Sequence, residues 1–229
     1  MSSRLDLPQL DEIPDPYASA SAAPMPPAAR RPHARSPSRA RVRALRWASV
    51  AAAIVYDAVA IAFLHVRPNL GSTPAWALAI ELSIPLAAAS VALAAVARKG
   101  PNGLGETTVR VALLSVTAPV VFALATVALA PHDTLGAAFW PAAARCIGVT
   151  AILAAGPATF GLLAVRRAFA AAPAWRMAAL GIVCGAFAAA AISFVCPVNS
   201  AYHVLVGHGA MMLLLGGLGG LIGHRVAAP

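Results

Sequence analysis

Residues 75–97 read AWALAIELSIPLAAASVALAAVA, a run with one charged side chain, Glu81. A helix needs about 20 mostly apolar residues to cross the hydrocarbon core of a bilayer, and this run supplies them. Five further stretches match it in length and character: 47–66, 109–130, 143–165, 174–195 and 203–224. All are rich in Ala, Leu and Val. A helix satisfies every backbone N–H and C=O within its own segment, which lipid demands. The shorter alternating segments of a transmembrane β-barrel are not visible. The expected fold is therefore all-α: a polytopic membrane protein with a six-helix transmembrane bundle over residues 46–225, preceded by a disordered cytoplasmic tail, residues 1–45.

Composition points the same way. Of the 229 residues, 60% are hydrophobic and 11% charged, against roughly 25% charged in a soluble domain. The net charge of +9 would suggest nucleic acid if it covered one soluble surface, but the basic residues fall in clusters between apolar runs. Arg4, Arg30, Arg31, Arg35, Arg39, Arg41, Arg43 and Arg46 precede the first run. Arg98, Lys99 and Arg110 lie around the second connection, Arg166, Arg167 and Arg176 around the fourth, and Arg225 after the last run. In a six-span arrangement 15 of the 17 basic residues then share one side, leaving Arg67 and Arg145 on the other. Positive charge marks the cytoplasmic side, so both termini of this multi-pass protein are expected in the cytoplasm. The first apolar run begins too far along the chain for a cleavable signal peptide, and no apolar run promptly follows Arg30-Arg31. The first span is expected to remain as an anchor.

The tail has two parts. Residues 30–46 are basic and suited to anionic lipid headgroups, each Lys or Arg contributing about 1 kcal/mol near the surface. Residues 5–17, LDLPQLDEIPDPY, mix acids with Leu5, Leu7, Leu10, Ile13 and Tyr17, a pattern that suits a docking segment ordering on a partner as well as a solvated tail. Within the spans, Pro85, Pro119 and Gly156-Pro157 interrupt helices, and residues 216–223, GGLGGLIG, contain Gly216/Gly220 and Gly219/Gly223 pairs that let another helix approach closely. That partner helix can belong to this chain or another.

Chemistry concentrates at the end opposite the basic clusters. Cys146 lies at the outer end of span four. Cys196 lies in the short connection CPVNSAYH after span five, and His203 and His208 open span six. His65 ends span one, and His132-Asp133 follow span three. Cys and His are soft or borderline metal ligands, and two cysteines at an oxidising face can form a disulfide. There is no CxxC to specify a zinc knuckle or thioredoxin-like site. On a straight α-helix His203 and His208 stand about 140° apart, so they do not share a face, whereas His208 and Met211 or Met212 do. Cys184, in mid-span, reads as a small apolar residue. Asp57 and Glu81 are intramembrane acids, suited either to an ion relay or to neutral hydrogen-bonded packing. No intramembrane Lys or Arg is available to pair with them, which favours the second role. The sequence carries no catalytic triad, P-loop or HExxH, so an enzyme is not expected. No small-molecule substrate or direct nucleic-acid partner is expected either. A transiently bound heavy-metal ion is the one cofactor the residues suggest.

The stretch 178–225, containing LGIVCGAFAAAAISFVCPVNSAYHVLVGHGAMMLLLGGLGGLIGHR, resembles the NrsF family of bacterial membrane-bound anti-sigma factors. The likeness lies in the small-residue helix, the Cys with its short polar turn, and the Gly-rich last helix ending in a basic residue. The earlier spans match in number and length. The resemblance implies a protein that holds an extracytoplasmic-function sigma factor at the inner membrane until an outer-face stimulus, redox or thiophilic metal, releases it. It assigns sensing to a cysteine pair at the positions of Cys146 and Cys196. His203 and His208 stand where many relatives carry Trp-Tyr, so a metal role for them is not inherited. The rival reading is a small transporter or channel-like subunit using Asp57 and Glu81.

Overall fold

The computed structural model describes residues 39–97, 107–132, 135–165 and 172–226. They fall almost entirely in one compact unit, Ala40–Pro229. The tail positions Leu5, Leu7, Leu10, Ile13 and Tyr17 lie outside the described residues, as do Arg98, Lys99, Asp133, Arg166 and Arg167.

Long helices make up the bundle: α1 (Arg39–Leu64), α2 (Ala75–Ala97), α3 (Thr108–Leu129), α4 (Phe139–Val165) and α5 (Pro173–Ile192). The last crossing combines a short α6 (Ala201–His203), a π-helical turn (Val204–His208) and α7 (Ala210–Val226). Six segments are long and apolar enough to cross a membrane: Trp47–Leu64, Ala75–Val96, Thr108–Leu129, Gly136–Val165, Pro173–Ile192 and Ala201–Gly223. Their bounds follow the six apolar runs of the sequence within a few residues. Large apolar side chains such as Val55, Phe63, Leu124, Leu213 and Leu221 point outward, as a lipid-facing bundle requires. There is no strand among the described residues.

Helix α5 is the hub and is mostly buried. Its Ala- and Gly-rich surface lets α2, α3, α4 and α7 all pack on it. The closest approach is to α7. A Cβ added at Gly185 would lie 2.6 Å from the Met212 backbone, so only glycine permits the contact. Gly216, Gly219 and Gly223 of α7 meet Ile182, Met177 and Ala174 of α5 in return. The partner of the Gly-rich last helix is thus in the same chain.

Several hydroxyls inside the spans find local partners. Those of Ser90, Thr117 and Thr150 donate to the carbonyls of Leu86, Leu113 and Cys146, at 2.8, 2.8 and 2.7 Å, the back-bonding that satisfies a polar group where no water is present. Arg176 is a correction to the sequence reading. It lies within α5, buried, and donates through Nη1 to the Val96 carbonyl at 2.8 Å, closing the end of α2 instead of occupying a loop.

Helix α1 is packed differently from the rest. Most of its surface is exposed. It is held by the Tyr56 hydroxyl donating to the Ile152 carbonyl at 2.9 Å, and by Ala60, Ile61 and Leu64 resting on the apolar cluster that contains Leu153, Ile192, Cys146 and Cys196.

Candidate functional site: a buried Cys2His2 cluster

Four side chains from three segments converge at one end of the bundle. Cys146 comes from α4, Cys196 from the connection after α5, and His203 and His208 from the residue before the π-helical turn and its last residue. Cys146 Sγ lies 3.4 Å from Cys196 Sγ, and Cys196 Sγ lies 3.4 Å from His203 Nε2. One ligand atom from each of the four residues fits within 4.8 Å of the others. All four are buried, with exposures of 8%, 6%, 0% and 4% in sequence order. Neither thiol is in a disulfide.

The π turn is what brings the histidines together, and it corrects the expectation that residues five apart face different ways. Its bonds run i to i+5, shown by the Gly209 amide donating to the Val204 carbonyl at 3.0 Å. Positions 203 and 208 are then one turn apart, and their rings meet edge to face with centroids 5.4 Å apart. Gly207 lets this wider turn sit against α4. A Cβ there would come within 3.1 Å of the Cys146 Cβ, and Thr150 Oγ1 donates to the Gly207 carbonyl at 3.3 Å. Two glycines flanking His208 are the only local sign of the turn in the sequence.

The Cys146 thiol donates to Cys196 Sγ. That hydrogen bond is the main influence holding the Cys196 thiol well below the usual thiol range; burial opposes it, and His203 and His208 reinforce it.

A second polar group supports the first. Arg67, read from sequence as one of two basic residues on the outer side, is folded inward and buried. Its Nη2 lies 3.1 Å from Glu81 Oε2, and its Nη1 donates to the Cys196 carbonyl at 3.3 Å. Asn199 Nδ2 donates to Glu81 Oε1 at 2.7 Å. Glu81 is thus paired with a cation, correcting the expectation that no intramembrane base was available. Its carboxylate is engaged by both Arg67 and Asn199. Asp57 stands outside this network, with Oδ1 buried and without a hydrogen-bond partner. A cavity of about 160 Å³ runs beside the cluster, lined by Arg67, Glu81, Asn199, Cys196 and His208 among others.

The other candidates are elsewhere. His65 closes α1 with a positive φ of 67°, His132 is exposed and meets the Tyr202 ring, and Cys184 is buried within α5 near Gly161.

The NrsF family model, described as negative regulator of sigma F, matches residues 29–228. The chain belongs to the NrsF family. The match spans the whole described bundle, including α1 and both cysteines of the cluster. No curated protein and no solved structure matches the chain. Membership in NrsF implies negative regulation of a sigma factor, and a multi-pass helical bundle is consistent with regulation exerted from a membrane.

Proposed function

We propose that this NrsF protein is an integral inner-membrane anti-sigma factor that sequesters an extracytoplasmic-function sigma factor and releases it when Cys146 and Cys196 react at the outer face. The observation that carries this reading is the 3.4 Å approach of two sulfurs fifty residues apart. The positive-inside pattern puts the cluster end outside and both termini in the cytoplasm. The stimulus is an oxidant or a thiophilic metal. With peroxide as oxidant, the two thiols lose two protons and two electrons to form a disulfide, and the peroxide becomes two waters.

A disulfide holds its sulfurs at about 2.05 Å, so the pair must close by more than an ångström. That closure pulls the outer part of α4 towards the 193–200 connection. Helix α1 rests on the same cluster through Ala60, Ile61 and Leu64, and it continues without a break to Arg39. Its loose packing makes it the element freest to move. Two discrete arrangements of the bundle, one favoured by the reacted pair, supply the switch. On the cytoplasmic side, Leu5, Leu7, Leu10, Ile13 and Tyr17 within residues 1–45 are the sigma-factor anchors, and the basic residues 30–46 lie on anionic lipid. The role is regulatory and non-enzymatic, with no nucleic acid bound directly and no small-molecule substrate.

The test is co-purification. The full chain extracted from membranes retains a sigma factor, and deletion of residues 1–45 loses it. Full retention after the deletion would place the contact elsewhere.

A further inference from the structure

The four side chains at the end of the bundle have the number, type and spacing of a closed metal site. We propose that Cys146, Cys196, His203 and His208 bind one tetrahedral divalent d10 cation, zinc or its heavier congener cadmium. This goes beyond the cysteine pair: it adds both histidines as ligands and names the ion class.

Distances carry the case. Tetrahedral zinc with Zn–S about 2.3 Å and Zn–N about 2.0–2.1 Å requires S···S about 3.8 Å, S···N about 3.5 Å and N···N about 3.3 Å. The cluster shows S···S and S···N both at 3.4 Å, with all four ligand atoms within 4.8 Å. The two closest separations need to change by only a few tenths of an ångström, and the widest, at up to 4.8 Å, by about an ångström.

Three further observations point to a ligand. His208 Nε2 is buried without a hydrogen-bond partner, and an unpartnered buried polar atom is costly unless something occupies it. The π turn, an uncommon feature that recurs at functional sites, is the element that aims both rings at the sulfurs. The cavity beside the cluster gives an ion a route in past Glu81 and Asn199.

Charge selects the ion. Two thiolates and two neutral imidazoles balance a divalent cation, leaving the complex neutral. A monovalent ion would leave net charge in a buried place, which is expensive. Arg67 and Glu81 beside the site compensate each other and do not alter the sum. Binding displaces the two thiol protons to solvent. An occupied site uses both sulfurs, so metal and disulfide exclude one another.

The experiment uses the purified full chain in detergent, with cobalt(II) as spectroscopic probe and zinc as competitor. The expected result is one cobalt per chain, with thiolate charge-transfer absorption and the intense visible bands of a tetrahedral ion, both erased by zinc or cadmium and untouched by magnesium. His203→Ala and His208→Ala should each weaken binding beyond the about 10–100-fold seen on losing outer-shell partners, while Cys184→Ser changes nothing. X-ray absorption of the zinc-loaded wild-type chain, which needs no variant to fold, should show two sulfur and two imidazole neighbours. Fewer than two sulfurs, no imidazole, or binding indifferent to both histidine substitutions would overturn the proposal. Because no sigma factor enters these measurements, their failure leaves the regulatory reading standing, and loss of sigma-factor binding leaves the metal site standing.

Discussion

Arg67 and Glu81 form an ion pair at 3.1 Å, and the same guanidinium holds the Cys196 carbonyl at 3.3 Å. The pair therefore fixes the connection that presents one of the two cluster sulfurs. Removing one partner of a buried pair costs about 3–5 kcal/mol, because the other is left uncompensated, whereas replacing both with apolar residues is often neutral. Arg67→Met and Glu81→Leu should each lower the thermal unfolding midpoint in detergent, and the double variant should lie closer to wild type than either. Additive losses would show that the two side chains act separately.

The contact between α5 and α7 gives a sharper steric test. A Cβ at Gly185 meets the Met212 backbone, while one at Gly217 meets nothing within 4 Å. Overpacking a filled interface costs about 1–3 kcal/mol. Gly185→Ala should therefore lower the unfolding midpoint clearly and Gly217→Ala should leave it unchanged. Equal behaviour of the two would mean that α5 and α7 do not pack as closely as described.

Much of this architecture was legible in the sequence, and the parts that were not share a cause. A span declares itself through local apolar length, so all six runs could be read directly. Counting crossings put Cys146 and Cys196 at one end of the bundle, the family resemblance paired them, and the structure adds their 3.4 Å approach. The pairing of Arg67 with Glu81 was hidden because it depends on a loop folding back into the bundle, which no local pattern reports. The meeting of His203 and His208 was hidden because periodicity arguments assume an α-helix, and a single π turn shifts the register by one residue. Gly181 and Gly185 of α5, which face Leu215 and Met212, repeat the spacing noticed only in the last helix. The tail anchors Leu5 to Tyr17 rest on composition alone.

Topology is tested by reporter fusions. With 15 of 17 basic residues on one side of a six-span arrangement, alkaline phosphatase fused after Pro229 should be inactive, and a fusion in the 131–141 connection should be active. An active fusion at Pro229 would invert the arrangement and place the cysteine cluster in the cytoplasm, where a disulfide is disfavoured.

The central claim is that Cys146 and Cys196 act as one switch, and sigma-dependent transcription in cysteine variants tests it most directly. The measurement compares wild type, Cys146→Ser, Cys196→Ser, the double variant and Cys184→Ser, with and without cadmium, copper or oxidant. Each outer-cluster substitution should abolish or lock the response, the double variant should match a single one, and Cys184→Ser should respond like wild type because its thiol is buried away from the cluster. Normal induction in both single variants would contradict the account.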